Sequence, residues 1–474
     1  MDEDWFAVPG WTMWNEGIPR IPYCPSRVRE SFFENADKCL MTLPPGLHFV
    51  QAPFFGLLPP GYPTARWPSF FGGIFFLIAI WHLARQAIPN DWIVGTACAM
   101  LAISRPVLFT SVIARPDLLC ALFGIVALIG MWNWQRSGSK RWLCLAGLAC
   151  GLGALFHPFA IAYCLQVGAW TLLKSSPIQR KVTHLLLIGI FFAIGLSPWL
   201  PYIAMFPYEF KSQFFSNVLE RSGPGLISRI LWPWDSLRKH ASLLWELNDP
   251  VQSVFLTVGC LTGTAFAILE NRTGYKRLYT ALAWSALYWT ITTAGTHTTK
   301  WYAVYPMALI YPLAVDGWIG IFRGLGNMSR VLPRGEQIPL PAAALITAVF
   351  CCSVIPGAGL KSTWLYWSNW GNPSLHAPSF IRNVLKELPP EGSFMVDTNY
   401  VFDVYLSGRK TWICQDRDKY WGDQPMKMDY VLVGQVGLDG RWPEQYQAKF
   451  VRREGSRDLP QSCFLDVYQV ESVP

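Results

Sequence analysis

Charge is what this sequence has least of. Only 15% of its 474 residues are Asp, Glu, Lys or Arg, against about 25% in ordinary soluble domains. The deficit coincides with a positive mean hydropathy and with repeated apolar runs near the ~20 residues that cross a bilayer. A soluble globular protein is thereby excluded. No Cys-x-x-Cys or Cys/His spacing suggests a zinc site. No internal repeat or low-complexity tract is evident, and nothing before residue 67 reads as a signal peptide or an exporting helix. The net charge of +8 is no sign of nucleic-acid binding, because much of it sits in short loops between apolar runs.

What is present points to lipid as the solvent. The chain is 52% hydrophobic and carries 24 tryptophans and 18 tyrosines, rings that favour the headgroup level of a membrane. Ten apolar segments stand out, at about 67–88, 92–110, 117–134, 143–157, 158–173, 184–203, 251–269, 279–296, 302–322 and 338–358. The run 143–173 is too long for one span and is broken at His157-Pro158, since proline removes a helical hydrogen bond. Each half is shorter than a full crossing, so partial immersion of one or both is expected.

Orientation follows from the loops. Arg136, Lys140 and Arg141, then Lys174, Arg180 and Lys181, then Arg272, Lys276 and Arg277, then Arg323, Arg330 and Arg334 fall in four loops. These alternate with loops holding only Arg115 and Lys300. The positive-inside rule assigns the basic set to the cytoplasm. Residues 1–66, the 204–250 loop and the tail from about 359 then lie outside. The sequons at Asn271 and Asn327 fall in cytoplasmic loops and are expected to be unused. An exported residue 1–66 segment with nothing to export it implies a further transmembrane helix upstream of Met1.

The expected architecture is therefore mostly α, a polytopic membrane protein of about ten transmembrane helices. Residues 1–66 form a first extracytoplasmic loop, 67–358 the transmembrane domain, and 359–474 a small extracytoplasmic α/β domain. In that last part Pro378–Glu387 has helical spacing, while Phe394–Asp397, Tyr430–Val433 and Phe464–Val470 read as strands. Eight cysteines lie in apolar runs and act as small hydrophobes. Cys24, Cys39, Cys414 and Cys463 lie in polar segments and could form disulfides that sequence alone does not pair.

Three outer features could carry chemistry. The first is Asp2-Glu3-Asp4, continuing through Trp5-Phe6-Ala7-Val8-Pro9-Gly10-Trp11, then Arg20-Ile-Pro-Tyr-Cys-Pro-Ser and Thr42-Leu-Pro-Pro-Gly-Leu-His-Phe-Val-Gln-Ala-Pro. The second is Ala114-Arg115-Pro116-Asp117 at the mouth of a span, where ionisable groups are costly and raise the functional prior. The third is Thr296-His297-Thr298-Thr299-Lys300-Trp301-Tyr302, followed by Tyr305-Pro306. The blander readings are a solvated acidic terminus, an anchoring ion pair and an interfacial aromatic loop.

Together these segments resemble the GT-C superfamily of polyprenyl-phosphate-sugar-dependent glycosyltransferases, especially bacterial members related to protein O-mannosyltransferases and lipid A aminoarabinose transferases. In that family an Asp-Glu pair follows the first helix, then an aromatic segment, then a Pro-Pro motif leading into the second helix. The likeness covers roughly residues 1–325, and the absent first helix is its main departure. It implies transfer of a sugar from a polyprenyl-phosphate donor to an acceptor hydroxyl on a protein, lipid or glycan, with inversion, at the outer face of a bacterial inner membrane. It implies catalytic roles for Asp2 (the base), Glu3 and Asp117. Substrate contacts would come from Arg115, Lys300 as the cation for the donor phosphate, His157, Tyr302 and His48, with Arg66 a further contact. No cofactor is implied with certainty, although Glu3, Asp4 and Asp117 could share a divalent ion. The main rival is a transporter or flippase of lipid-linked or small polar substrates, which should show two related halves and midplane charges. A receptor whose tail binds a partner leaves the acidic motifs unexplained.

Overall fold

In the computed structural model the chain is described over residues 3–174, 176–220, 225–269, 274–295, 300–328, 364, 367–414, 421, 426–457 and 462–470. The apolar segments all become helices where they are described. These are α3 (Tyr62–Arg85), α4 (Asp91–Ile103), α5 (Arg105–Val112), α6 (Asp117–Ser137), α7 (Arg141–Phe156), α8 (Ala160–Leu173), α9 (Ile178–Leu196), α10 (Trp234–Leu269), α11 (Gly274–Ala294) and α12 (Val304–Met328). The count of spans is lower than the ten expected. Among the described residues five helical stretches are long and apolar enough to cross a membrane, namely Tyr62–Arg85, Asp117–Ser137, Ile178–Met205, Gln252–Leu269 and Trp301–Ile321.

Each shortfall has a local cause. The 92–110 segment is broken into α4 and α5, bent by 59°, with the backbone extended at Ser104 where Pro106 removes a helical hydrogen bond; counted as one span, the pair makes six. At His157 the backbone is extended ahead of Pro158, which leaves α7 and α8 with 16 and 14 residues, about 24 and 21 Å at 1.5 Å per residue. Helix α11 is long enough, but its Tyr, Trp and Thr content makes it insufficiently apolar. The tenth segment, 338–358, lies outside the described residues.

Residues 3–66 form more than a loop. They hold α1 (Glu3–Glu16) and α2 (Gly46–Leu57), which pack on each other and on α3. The stretch between them is tied to residues 207–217. Tyr208 Oη donates to Glu34 at 2.6 Å, and the Gln213 amide donates to the carbonyls of Glu34 and Cys39. Met41 N–H donates to Gln213 Oε1 at 2.6 Å.

Close helix contacts are made through glycine. A Cβ on Gly147 or Gly151 of α7 would collide with the carbonyls of Ile188 and Phe192 on α9. Lipid gives no hydrophobic drive to helix pairing, so this backbone approach is what binds α9 to the bundle. Apart from that seam α9 is largely exposed.

Beyond the helices the chain forms one five-stranded sheet with α13 (Ala377–Lys386) and α14 (Val401–Leu406). Its strands are β1 (Ser393–Asp397), β2 (Lys410–Cys414), β3 (Tyr430–Val433), β4 (Ala448–Gly455) and β5 (Phe464–Val470), in the order β2-β1-β3-β5-β4. Strand β1 runs parallel to β2 and β3, while β5 runs antiparallel to β3 and β4. The three expected strands and the helix are in place; β2 and β4 are additional. Asp397, buried at the end of β1, accepts backbone N–H bonds from Asn399, Val436 and Gly437. Burial raises its pKa against those bonds. Cys24, Cys39, Cys414 and Cys463 are separate buried thiols.

The sheet unit docks on the first 66 residues. Tyr62 Oη donates to the Thr398 carbonyl at 3.0 Å, and Ile413 N–H donates to the Tyr23 carbonyl at 3.1 Å. Tyr405 meets Trp11 and Tyr23 edge-on, and Phe402 meets Phe55 and Tyr62. Asp403 on α14 lies in this contact, and its Oδ2 is buried with no hydrogen-bond partner among the described residues. Burial pushes its pKa up to about 6, against the opposing charges of Arg382 and Arg66.

Two outcomes follow from this packing. Gly151→Leu should lower the melting temperature of the purified protein by overpacking the α7–α9 seam, a cost of about 1–3 kcal/mol. Gly168→Ala, where an added Cβ meets nothing within 4 Å, serves as the control. Asp403 binds more protons folded than unfolded between its ordinary value of 3.8 and about 6. Its contribution to stability is thus full below that window and lost as pH rises through it. The melting temperature of Asp403→Asn should therefore gain on the parent protein between pH 4 and pH 6.5; an unchanged difference across that range would contradict this.

Candidate active site

Helix α1 opens with Glu3 and Asp4 in its first turn, where exposed N–H groups favour negative charge. Glu3 is buried and held in a fork by Arg66 of α3, with Nε–Oε1 and Nη2–Oε2 both 2.7 Å. Its Oε1 also accepts the N–H of Ala114 at 2.9 Å. One carboxylate thus joins α1, α3 and the turn between α5 and α6. Asp4 is also buried, and its carbonyl accepts the Tyr23 hydroxyl at 2.8 Å. Asp2 lies outside the described residues.

The Ala114 turn leads directly to the second feature. Arg115 Nε donates to Asp117 Oδ2 at 2.9 Å, and the two side chains are 6% and 0% exposed. Such burial requires the charges to be paired and covered. The cover is aromatic: the Arg115 guanidinium lies 5.2 Å from the Phe6 ring centre and 4.8 Å from that of Trp301, within cation–π range. The Ser69 hydroxyl bonds both the N–H and the carbonyl of Arg115, at 3.4 and 3.2 Å, and so fixes the turn. Asp117 heads α6, and its Oδ1 is buried without a hydrogen-bond partner among the described residues.

His157 approaches that open oxygen, with Nε2 4.0 Å from Asp117 Oδ1. Phe159 N–H donates to its Nδ1 at 3.2 Å. Tyr302 belongs to the same cluster, its ring 4.1 Å from Phe159 and 5.8 Å from His157. Lys300 starts the short helical turn Lys300–Ala303 that carries Trp301, and its side chain lies outside the described residues. His48 is placed differently. It is buried on α2 with Nδ1 3.4 Å from Gln51 Oε1, and burial pushes its pKa down to about 4. It is a neutral packing group whose recorded partner is on its own helix.

The structure therefore brings together Glu3, Arg115, Asp117, His157 and Tyr302, with Asp4 beside them. Sequence reasoning underrated Arg66 as the partner of Glu3 and missed Phe6 and Trp301 as the faces around Arg115. Both aromatic residues stand inside the quoted motifs, so the signal was present, but their role needs the third dimension. Among the described residues no group of three or more His, Cys, Asp or Glu side chains is arranged to hold a metal ion.

A family model described as dolichyl-phosphate-mannose-protein mannosyltransferase matches residues 42–202. A comparison with curated proteins gives no match. Among solved structures, ArnT from Cupriavidus metallidurans bound to undecaprenyl phosphate superposes with a TM-score of 0.63 at 13% identity, covering 98% of this chain and 93% of that one. The oligosaccharyltransferase of Archaeoglobus fulgidus in its apo form gives 0.52 at 11% identity, covering 91% and 66%. At such low identity the shared property is the fold, and the chain has the fold of these two solved structures.

Proposed function

We propose that this protein is a membrane glycosyltransferase that moves a sugar from a polyprenyl-phosphate donor to an acceptor hydroxyl at the extracytoplasmic face, with inversion at the anomeric carbon. The observation that carries the reading is the convergence of Glu3–Arg66 with Arg115–Asp117 through the Ala114 turn. Two acidic motifs more than a hundred residues apart meet at the end of the helices that carries the sheet unit. The matched family's description and the lipid in the ArnT structure support the donor class.

The chemistry divides among the residues as follows. A carboxylate must take the acceptor's proton or steer its attack, the role given to Asp2, with Asp117 the second acid. Glu3 is committed to Arg66 and Ala114, so it holds the motif in place. Negative charge growing on the departing phosphate needs a cation nearby. Arg115 is already neutralised by Asp117, which leaves the larger share of that task to Lys300 on the adjoining turn. The positive-inside pattern of the loops supports an assignment of this site, residues 1–66 and the domain 359–474 to the outside of the cytoplasm.

The test is transfer by the full chain in detergent, with decaprenyl-phosphate mannose as donor and release of decaprenyl phosphate as the readout. Asp2→Asn and Asp117→Asn should each lower kcat by about 10²–10⁴-fold, the range of a lost general acid–base group. Melting temperatures show whether each variant is folded. Full activity in both variants removes the assigned roles. Sugar movement across vesicles that requires an ion gradient, without glycosidic cleavage, would establish the transporter instead.

A further inference from the structure

The geometry points to a hydroxyl-binding clamp between His157 and Asp117, which we propose seats one hydroxyl of the donor sugar; this rests on the glycosyltransferase reading above. Asp117 is fully buried, and only its Oδ2 is taken, by Arg115. Its Oδ1 has no hydrogen-bond partner among the described residues. A buried carboxylate oxygen in such a place calls for a donor.

His157 faces it as that donor's second contact. Because Phe159 N–H donates to Nδ1, that nitrogen is an acceptor and the neutral ring carries its proton on Nε2. The Nε2–H looks toward Asp117 Oδ1 across 4.0 Å, too far for a direct hydrogen bond. An oxygen about 2.8 Å from both atoms fits that separation. It must donate to Oδ1 and accept from Nε2–H at a single atom, and a hydroxyl does both. An ammonium can only donate, and a phosphate oxygen would meet Asp117 as like charge. The clamp therefore selects a sugar hydroxyl over the phosphate end of the same donor.

The clamp is set among aromatic rings. The His157 ring is flanked by Phe159 at 5.3 Å, Tyr302 at 5.8 Å and Tyr305 at 6.4 Å between centres. Phe159 and Tyr305 stack at 5.2 Å. The clamp takes its hydroxyl beside these packed rings. His157 is on this account a specificity residue that touches substrate, and the extended turn before Pro158 aims it.

The experiment titrates the full chain in detergent with decaprenyl-phosphate mannose, its 2-, 3-, 4- and 6-deoxy analogues, and sugar-free decaprenyl phosphate, following tryptophan fluorescence. His157→Ala should weaken the mannosyl donor about tenfold, the size of a hydrogen bond to a charged pair, and leave decaprenyl phosphate unchanged. One deoxy analogue should bind parent and variant equally. His157→Gln, which can still donate, should recover part of the loss, and melting temperatures confirm that both variants fold. An equal penalty on decaprenyl phosphate, or on all four deoxy analogues as when the pair holds only water, overturns the clamp. A parent chain that binds none of these lipids overturns the donor reading itself, a separate outcome.

Discussion

The buried Arg115–Asp117 pair is the constraint around which the sheet-bearing end of this molecule is arranged. Two charges taken out of water cost several kcal/mol each unless geometry and neighbours compensate. Here the compensation comes from distant parts of the chain. Phe6 arrives on α1, Trp301 on the turn before α12, and Ser69 on α3 fixes the arginine backbone. Glu3 then bonds the N–H of the preceding residue, Ala114, while Arg66 balances its charge. Each of these elements is positioned by the need to cover or satisfy the same few polar groups. A packing requirement and the proposed site are thus one arrangement.

The sheet unit participates in that arrangement. Tyr23 is its connection, since its hydroxyl reaches the Asp4 carbonyl, its own carbonyl takes the Ile413 N–H, and its ring meets Tyr405. The first turn of α1 is thereby referenced to strand β2, as well as to α3. Tyr62 repeats the pattern one helix further on, with its hydroxyl on the Thr398 carbonyl. Displacement of the sheet unit would act on the acidic motif through two tyrosines.

Much of this was legible in the sequence, for physical reasons that can be named. Apolar runs, the His157-Pro158 break, and the strands at Phe394–Asp397, Tyr430–Val433 and Phe464–Val470 follow from periodicity and proline geometry, which are local. The helices α1 and α2 were read as loop because α1 is buried by tertiary contacts on much of its surface and carries an internal proline, so neither composition nor period marks it. Strand β4 escaped because its exposed edge is Lys- and Arg-rich, and β2 because it is short and mixed. Among the described residues the span count is lower than expected in part because apolar composition alone does not reveal a bend such as that at Ser104. In the site, the acids and the arginine were readable from motif and resemblance, whereas the Arg66 fork and the aromatic cover of Arg115 depend on contacts between residues 63 to 186 positions apart.

The most direct measurement is a cryo-electron-microscopy structure of the full chain with decaprenyl-phosphate mannose bound. The expected result is sugar density between the first turn of α1, the Arg115–Asp117 turn and the turn carrying Trp301, with the phosphate toward Lys300 and the lipid leaving into the bilayer. Donor density elsewhere, with the Arg115–Asp117 site untouched, would contradict it.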